Sequence, residues 1–161
     1  MMSTSSAAHR LSRRAVCGVI FSLAGSLFPL RAAASSTVLV HKDPNCGCCG
    51  DWAKHLEAAG FSVKIEETTR LNAVRSRLGV PADLAACHTA EVGGYLVEGH
   101  VPAAAIKRLL EERPDAAGIA VPGMPSGSPG MSGKPQQYSV ILFGQDGRRA
   151  YMQFVGMEQS G

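Results

Sequence analysis

Three cysteines fall within four residues in Asn45-Cys46-Gly47-Cys48-Cys49-Gly50, where an apolar strand runs into a helix. Thr37-Val38-Leu39-Val40 is a short β-branched run and Asp43-Pro44-Asn45 is turn chemistry; Trp52, Leu56 and Ala59 then recur at helical spacing until Gly60 stops the helix. A fold that accepts this segment holds its thiols at a helix N-terminus. Unpaired backbone N–H groups and the positive end of the helix dipole favour the thiolate there, the species that attacks disulfides and binds soft metals.

Cys46 and Cys49 form a C-x-x-C pair, neighbours on a first helical turn and within reach of a disulfide. A Cys48–Cys49 bridge would span α-carbons only about 3.8 Å apart, too close for the usual geometry. On a helix Cys46 and Cys48 are expected to point away from each other. Cys48 is thus left as a ligand, a resolving thiol or a bystander.

Residues 1–34 have the parts of an export signal: an Arg-bearing polar start, an apolar run from Ala15 to Leu30, and a small-residue exit at Ala32-Ala33-Ala34. Cleavage is expected after Ala34, with a periplasmic destination. Ser12-Arg13-Arg14-Ala15-Val16 fits a twin-arginine signal and an ordinary signal with an arginine pair equally well. The apolar run is short for a span of roughly 20 residues, so no stable membrane span is expected after cleavage. The whole-chain charge of +3 misleads, because Arg10, Arg13, Arg14 and Arg31 belong to this segment. Without them acidic residues slightly outnumber basic ones, and nucleic-acid binding has no electrostatic support. Cleavage also removes Cys17, leaving Cys46, Cys48, Cys49 and Cys87 in an oxidising compartment that permits a disulfide or a thiolate metal site.

The remainder, 35–161, reads as one domain. Phe61-Ser62-Val63-Lys64-Ile65 alternates as a half-buried strand, and Leu71, Val74 and Leu78 line a short helix that Thr68 or Thr69 can cap and Gly79 closes. Pro81 opens a single turn through Leu84. Cys87 and His88 open a strand that turns at Gly93-Gly94 into Tyr95-Leu96-Val97-Glu98, a hairpin. Pro102 starts a helix with Ile106, Leu109 and Leu110 on its apolar face, ending before Pro114. The stretch 114–135 is Gly- and Pro-rich and reads as a loop without regular structure, although it carries Met124 and Met131. A terminal hairpin over 136–157 turns at Asp146-Gly147.

The order β-α-β-α-β-β-α, with cysteines at the end of the first strand, resembles the thioredoxin-like fold. The expected class is α/β, a mixed β-sheet flanked by helices with an extra C-terminal β-hairpin. In that topology the start of the third strand lies beside the C-x-x-C loop, which places Cys87-His88-Thr89 against Cys46, Cys48 and Cys49. Such a set suits Cu(I) or Zn(II), and its thiolate content favours copper, with room for a multinuclear cluster. Equally, Cys46 and Cys49 can act as a catalytic dithiol, or as a staple for a small exported domain. His41 and His100 lie nearer the expected site end than His55, each with an ordinary reading as a surface or packed imidazole. Met124 and Met131 carry thioethers that copper accepts, and Trp52 reads as core.

The stretches Pro44-Asn45-Cys46-Gly47-Cys48-Cys49-Gly50, Cys87-His88-Thr89-Ala90, Gly93-Gly94-Tyr95, Glu98-Gly99-His100-Val101-Pro102 and Gly118-Ile119-Ala120-Val121-Pro122-Gly123-Met124-Pro125 together resemble a family of periplasmic CopG-type copper-resistance proteins, also catalogued as a domain of unknown function. The resemblance covers about residues 37–131. It implies a thioredoxin-like domain that binds copper through Cys46, Cys48, Cys49 and Cys87; His88, which also matches a family position, is read from its place beside Cys87 as a supporting or auxiliary ligand. It also implies copper handling in copper resistance, by redox interconversion of copper forms; copper ions and periplasmic copper-handling proteins are the expected partners, and the Cys46-x-x-Cys49 pair keeps a thiol–disulfide or copper oxidoreductase as the alternative activity.

Overall fold

The computed structural model describes residue 1 and residues 37–161; the export signal expected over 1–34 lies outside the described residues. In chain order the elements are β1 (Thr37–Lys42), α1 (Gly47–Ala58), β2 (Ser62–Glu67), α2 (Leu71–Leu78), a 3-10 turn (Ala82–Leu84), β3 (His88–Val92), β4 (Tyr95–Gly99), α3 (Ala103–Glu112), β5 (Gly118–Val121), β6 (Gln137–Gly144), β7 (Gly147–Val155) and β8 (Glu158–Gln159). The strands form one eight-stranded sheet in the order β2-β1-β3-β4-β5-β6-β7-β8. β1 pairs with β2, and β4 with β5, in parallel; the other pairs are antiparallel. Parallel neighbours need a crossover, which α1 and α3 supply.

Alternation along the strands divides the side chains between two faces. One face carries Val38, Val40, Ala90, Val92, Val97, Ile119 and Val121, packed with Trp52 and Leu56 of α1 and Ile106 and Leu109 of α3 in one buried cluster. On the other, Leu84, Ala120 and Phe143 form a smaller cluster with Leu96. There α2 contributes no large apolar anchor: its one buried residue is Arg75. Gly93 and Gly94 adopt φ of 57° and 90°, the left-handed pair that a two-residue hairpin turn demands.

The mixed α/β class holds, and with eight strands the sheet is larger than the one expected. Of the two strands beyond those expected, β5 lies in the stretch read as an irregular loop and β8 follows the terminal hairpin. Gly118-Ile119-Ala120-Val121 is a fully buried strand in the middle of the sheet. Being covered on both faces, it shows no polar alternation, and its glycine is needed because a Cβ there would collide with the Leu96 carbonyl. The expected Thr cap of α2 is also corrected. Arg70 occupies the cap position without a side-chain cap bond, and the Thr68 hydroxyl accepts from the Arg70 N–H at 3.1 Å instead. Among the described residues no helix is long and apolar enough to cross a membrane.

Candidate metal centre

The loop after β1 delivers the cysteines to the first turn of α1. Asp43 shapes it, accepting the Asn45 N–H on Oδ1 at 2.8 Å and the Cys46 N–H on its carbonyl at 3.0 Å. Cys46 is the N-cap residue, in extended conformation (φ −79°, ψ 94°), and Cys48 and Cys49 lie in the turn that follows. Cys46 and Cys49 are joined by a disulfide with a Cα–Cα distance of 5.5 Å, the pairing that the spacing allows. Cys46 and Cys48 do not point apart. Their Sγ atoms lie 3.6 Å from each other, because the cap residue has left the helix and its side chain no longer obeys helical angles.

β3 brings the fourth thiol. Cys87, the residue before that strand, has its carbonyl oxygen 3.5 Å from Cys49 Sγ, and the sulfurs of Cys46, Cys48, Cys49 and Cys87 all lie within 4.8 Å of one another. Cys48 and Cys87 are the free cysteines among the described residues. His88 Nδ1 lies 3.4 Å from Cys87 Sγ, with its ring 4.2 Å from that of Trp52. Trp52 itself is anchored by donating Nε1–H to the Val101 carbonyl at 2.8 Å.

His100 completes the cluster. Its Nδ1–H donates to the Pro129 carbonyl at 2.7 Å, which fixes the tautomer and leaves Nε2 as an acceptor 2.8 Å from Cys87 Sγ. The hairpin β3–β4 folds these residues together across thirteen positions of sequence. His100 lay outside the ligand set expected from sequence, and its signal was the Gly99-His100-Val101-Pro102 segment closing the hairpin.

The Cys87 segment is gripped by charge on the other face of the sheet. Glu98 is fully buried and accepts from Arg75 Nε at 2.9 Å, from the Ala86 N–H at 2.6 Å and from the Thr89 hydroxyl at 2.5 Å. Arg75 in turn donates to the Ala86 carbonyl and to Asn72 Oδ1. One ion pair therefore holds both polar groups of the residue preceding Cys87. Burial raises the Glu98 carboxyl above its ordinary range against the pull of these donors.

Burial also pushes the Cys87 thiol up to about 12, with the neighbouring Cys48 adding to the effect. Although its sulfur lies within 4.8 Å of those at the helix N-terminus, Cys87 keeps its proton, which it can donate to His100. Burial, and then the neighbouring His100 ring, lower His88 to about 3. Burial lowers His100 as well, against the Pro129 carbonyl. Both imidazoles are thus neutral at pH 7 and available as ligands.

The segment after β5 straps across this cluster. Gly130 (φ +82°) packs so closely that a Cβ would stand 2.6 Å from the Cys48 carbonyl and 2.7 Å from the Trp52 nitrogen. Met131 follows it half-buried, whereas Met124 is 43% exposed in a turn at φ 49°. His41 takes no part in the centre, being held by Glu91 at 2.9 Å and Glu66 at 3.5 Å. His55 accepts the Ala103 N–H at 3.1 Å at the start of α3. Two surface clefts lined by Asp115, Ala116 and Asp146 contain neither cysteine nor histidine. The cysteine centre is a set of converging donors that could hold a metal ion.

A family model described as a protein of unknown function, DUF411, matches residues 84–131, from the 3-10 turn through the strap. A solved structure titled copper resistance protein CopG, form 1, is 48% identical, with a TM-score of 0.70 over 74% of this chain and 98% of that one. The chain belongs to the CopG family. A second CopG structure, form 2, is 46% identical, with a TM-score of 0.67 over 78% of this chain and 98% of that one. No curated protein matches the chain. Both CopG structures are matched over nearly their full length, so the family likeness is not confined to the cysteine segment.

Proposed function

We propose that this chain is exported to the periplasm through the signal over 1–34 and there binds Cu(I) in copper resistance. The reduced thiolates of Cys46, Cys48, Cys49 and Cys87 hold the metal, with His88 beside them, on a thioredoxin-like core enlarged by β5 to β8. The observation that carries this reading is the convergence of four sulfur donors within 4.8 Å of one another. Thiolate sulfur is the donor type that soft Cu(I) prefers. The titles of the CopG relatives support a place in copper resistance. Sulfurs this close can bridge neighbouring ions, so a multinuclear cluster belongs to the proposal.

The test is a Cu(I) titration of the fully reduced protein without oxygen, with bound copper counted by native mass spectrometry. Retained copper that disappears when all four cysteines become Ser supports the reading. No retained copper overturns it. Cys48→Ser separates the roles within the set: it leaves the Cys46–Cys49 disulfide able to form but lowers copper stoichiometry or affinity.

The disulfide itself favours a second reading, a thiol–disulfide or copper oxidoreductase. In the copper version Cys46 and Cys49 give up two electrons and two protons as the S–S bond forms, and two Cu(II) ions become Cu(I). Adding Cu(II) to reduced protein should then yield two chelatable Cu(I) per disulfide formed. Insulin reduction no faster than background would remove the general thiol–disulfide version.

A further inference from the structure

We propose that the exposed edge of the sheet at β2 is a docking surface for a second copy of this chain, paired antiparallel about a two-fold axis at Ile65. The inference goes beyond the copper reading and stands on a different part of the molecule.

Among the described residues β2 has β1 as its one strand neighbour, and their pairing runs from Thr37↔Ser62 to Lys42↔Glu67 without a break. The Thr68 N–H donates to the Lys42 carbonyl at 2.8 Å, which sets the alternation of this parallel ladder. Lys42, Val40 and Val38 bond toward β2 and lie beside Glu67, Ile65 and Val63, so the backbone groups of those three β2 residues point away from β1. A row of N–H and C=O groups presented in this way is a template for another strand. Ser62, Lys64, Ile65, Glu66 and Glu67 are all exposed, so nothing among the described residues covers the row. The opposite edge of the sheet differs, because β8 is only two residues long. A short strand blunts an edge, whereas β2 has neither that defence nor a proline or a bulge.

The side chains select one register. When Ile65 stands opposite its own copy, Val63 faces Glu67 of the second chain and Glu67 faces its Val63. All of these residues point their backbone groups outward, so each facing pair exchanges both hydrogen bonds. The residues between them occupy the other face, with opposed Cβ atoms about 4.5–5.5 Å apart. There Lys64 faces Glu66 of the second chain, and Glu66 faces its Lys64. Within one chain Lys64 already reaches Glu66 at 3.3 Å, so the axis gathers two lysines and two glutamates into one alternating set. Sliding the strands by two residues either way places Lys64 against Lys64 or Glu66 against Glu66, which like charges oppose. Charges on an edge commonly keep other strands away. Lys64-Ile65-Glu66 is its own complement when inverted, so the same charges that repel unmatched strands admit a second copy.

The pairing joins two eight-stranded sheets into one. Because β1 runs parallel to β2 into the cysteine loop, the inverted chains send their cysteine centres toward opposite ends of the shared sheet.

The experiment uses metal-free protein recovered from expression of the full chain, with free thiols capped by iodoacetamide so that no intermolecular disulfide contributes. Sedimentation velocity follows its mass from the micromolar to the millimolar range. A reversible monomer–dimer equilibrium is expected. Lys64→Glu sets acid against Glu66, and Glu66→Lys sets base against Lys64; each should weaken the dimer by at least about tenfold. His41 keeps its contact with Glu91 at 2.9 Å in Glu66→Lys. An equimolar mixture of the two variants should associate again, since every facing pair is then opposite in sign. Ile65→Pro removes an outward N–H that β1 does not use, so it should abolish the dimer while thermal melts show the fold retained. Protein that stays monomeric throughout the range would overturn the inference. So would a dimer that both charge variants and a folded Ile65→Pro leave intact, or a mixture that associates no better than its components.

Discussion

Arg75 Nε lies 2.9 Å from Glu98 Oε1, and the pair closes on the backbone of Ala86, directly before Cys87. The Glu98 side chain is fully buried and that of Arg75 only 10% exposed, so neither charge can fall back on water. Removing one partner of such a pair typically costs about 3–5 kcal/mol, because the other charge is left buried and unpaired. Arg75→Met should lose that much in urea denaturation and weaken Cu(I) binding, since the Cys87 backbone is no longer fixed. The double variant Arg75→Met, Glu98→Leu should recover part of the stability but not the copper affinity, because the Ala86 N–H still lacks its acceptor. Stability of Arg75→Met within about 1 kcal/mol of the unchanged protein would refute this account.

Gly130 is fixed by space as well as by φ. Its hydrogen faces the Cys48 carbonyl and the Trp52 nitrogen, at positions where a Cβ would sit under 3.0 Å from both, and its φ of +82° disfavours any L side chain. Gly130→Ala must lift the strap off the first turn of α1. The expected loss is about 1–3 kcal/mol in chemical denaturation, together with weaker copper binding. Ala at Gly123, whose Cβ meets nothing within 4 Å, serves as the comparison: it shares the positive φ but not the collision.

How much of this was legible beforehand differs from residue to residue for physical reasons. α1 and α3 could be read because each exposes one side to water, which prints a period on the sequence, and the β3–β4 hairpin, though almost wholly buried, could be read from its Gly93-Gly94 turn. β5 could not, since a four-residue strand buried on both faces has no period to show. The meeting of Cys87 with the cysteine helix was legible from topology, whereas the approach of His100 was not. That approach depends on how a hairpin closes and on a hydrogen bond to Pro129, twenty-nine residues further along. The contact between Cys46 and Cys48 was misread because the helix begins one residue later than the helical rule assumed.

Trp52 offers a direct optical readout. It is the one tryptophan in the chain, fully buried, with its ring tilted by 40° against that of His88 at a centroid distance of 4.2 Å. Its emission should fall on stoichiometric addition of Cu(I) to the reduced protein and recover when a stronger chelator removes the metal. The response should be lost with all four cysteines replaced by Ser. Unchanged emission during demonstrated copper uptake would place the metal away from the His88 side of the cluster.

His55 gives the clearest pH prediction. Its Nε2 accepts the N–H of Ala103, one of the donors that the start of α3 would otherwise leave unpaired, so the bond requires a neutral ring. Burial holds its pKa below the ordinary 6.5. In the window just below 6.5 the unfolded chain therefore carries a proton that the folded chain does not, so stability present above that pH is lost as the pH falls. His55→Gln keeps an acceptor for Ala103 and does not titrate. Its stability should match the unchanged protein near neutrality and fall less steeply in acid. The difference in slope is bounded by about 1.4 kcal/mol per pH unit for one proton, and is smaller in practice because the ring is only half-buried. Urea denaturation in steps from about pH 7 to about pH 5 measures it. Parallel curves would show that His55 is not a source of acid sensitivity, leaving His88 and His100, both lowered by burial, to account for it.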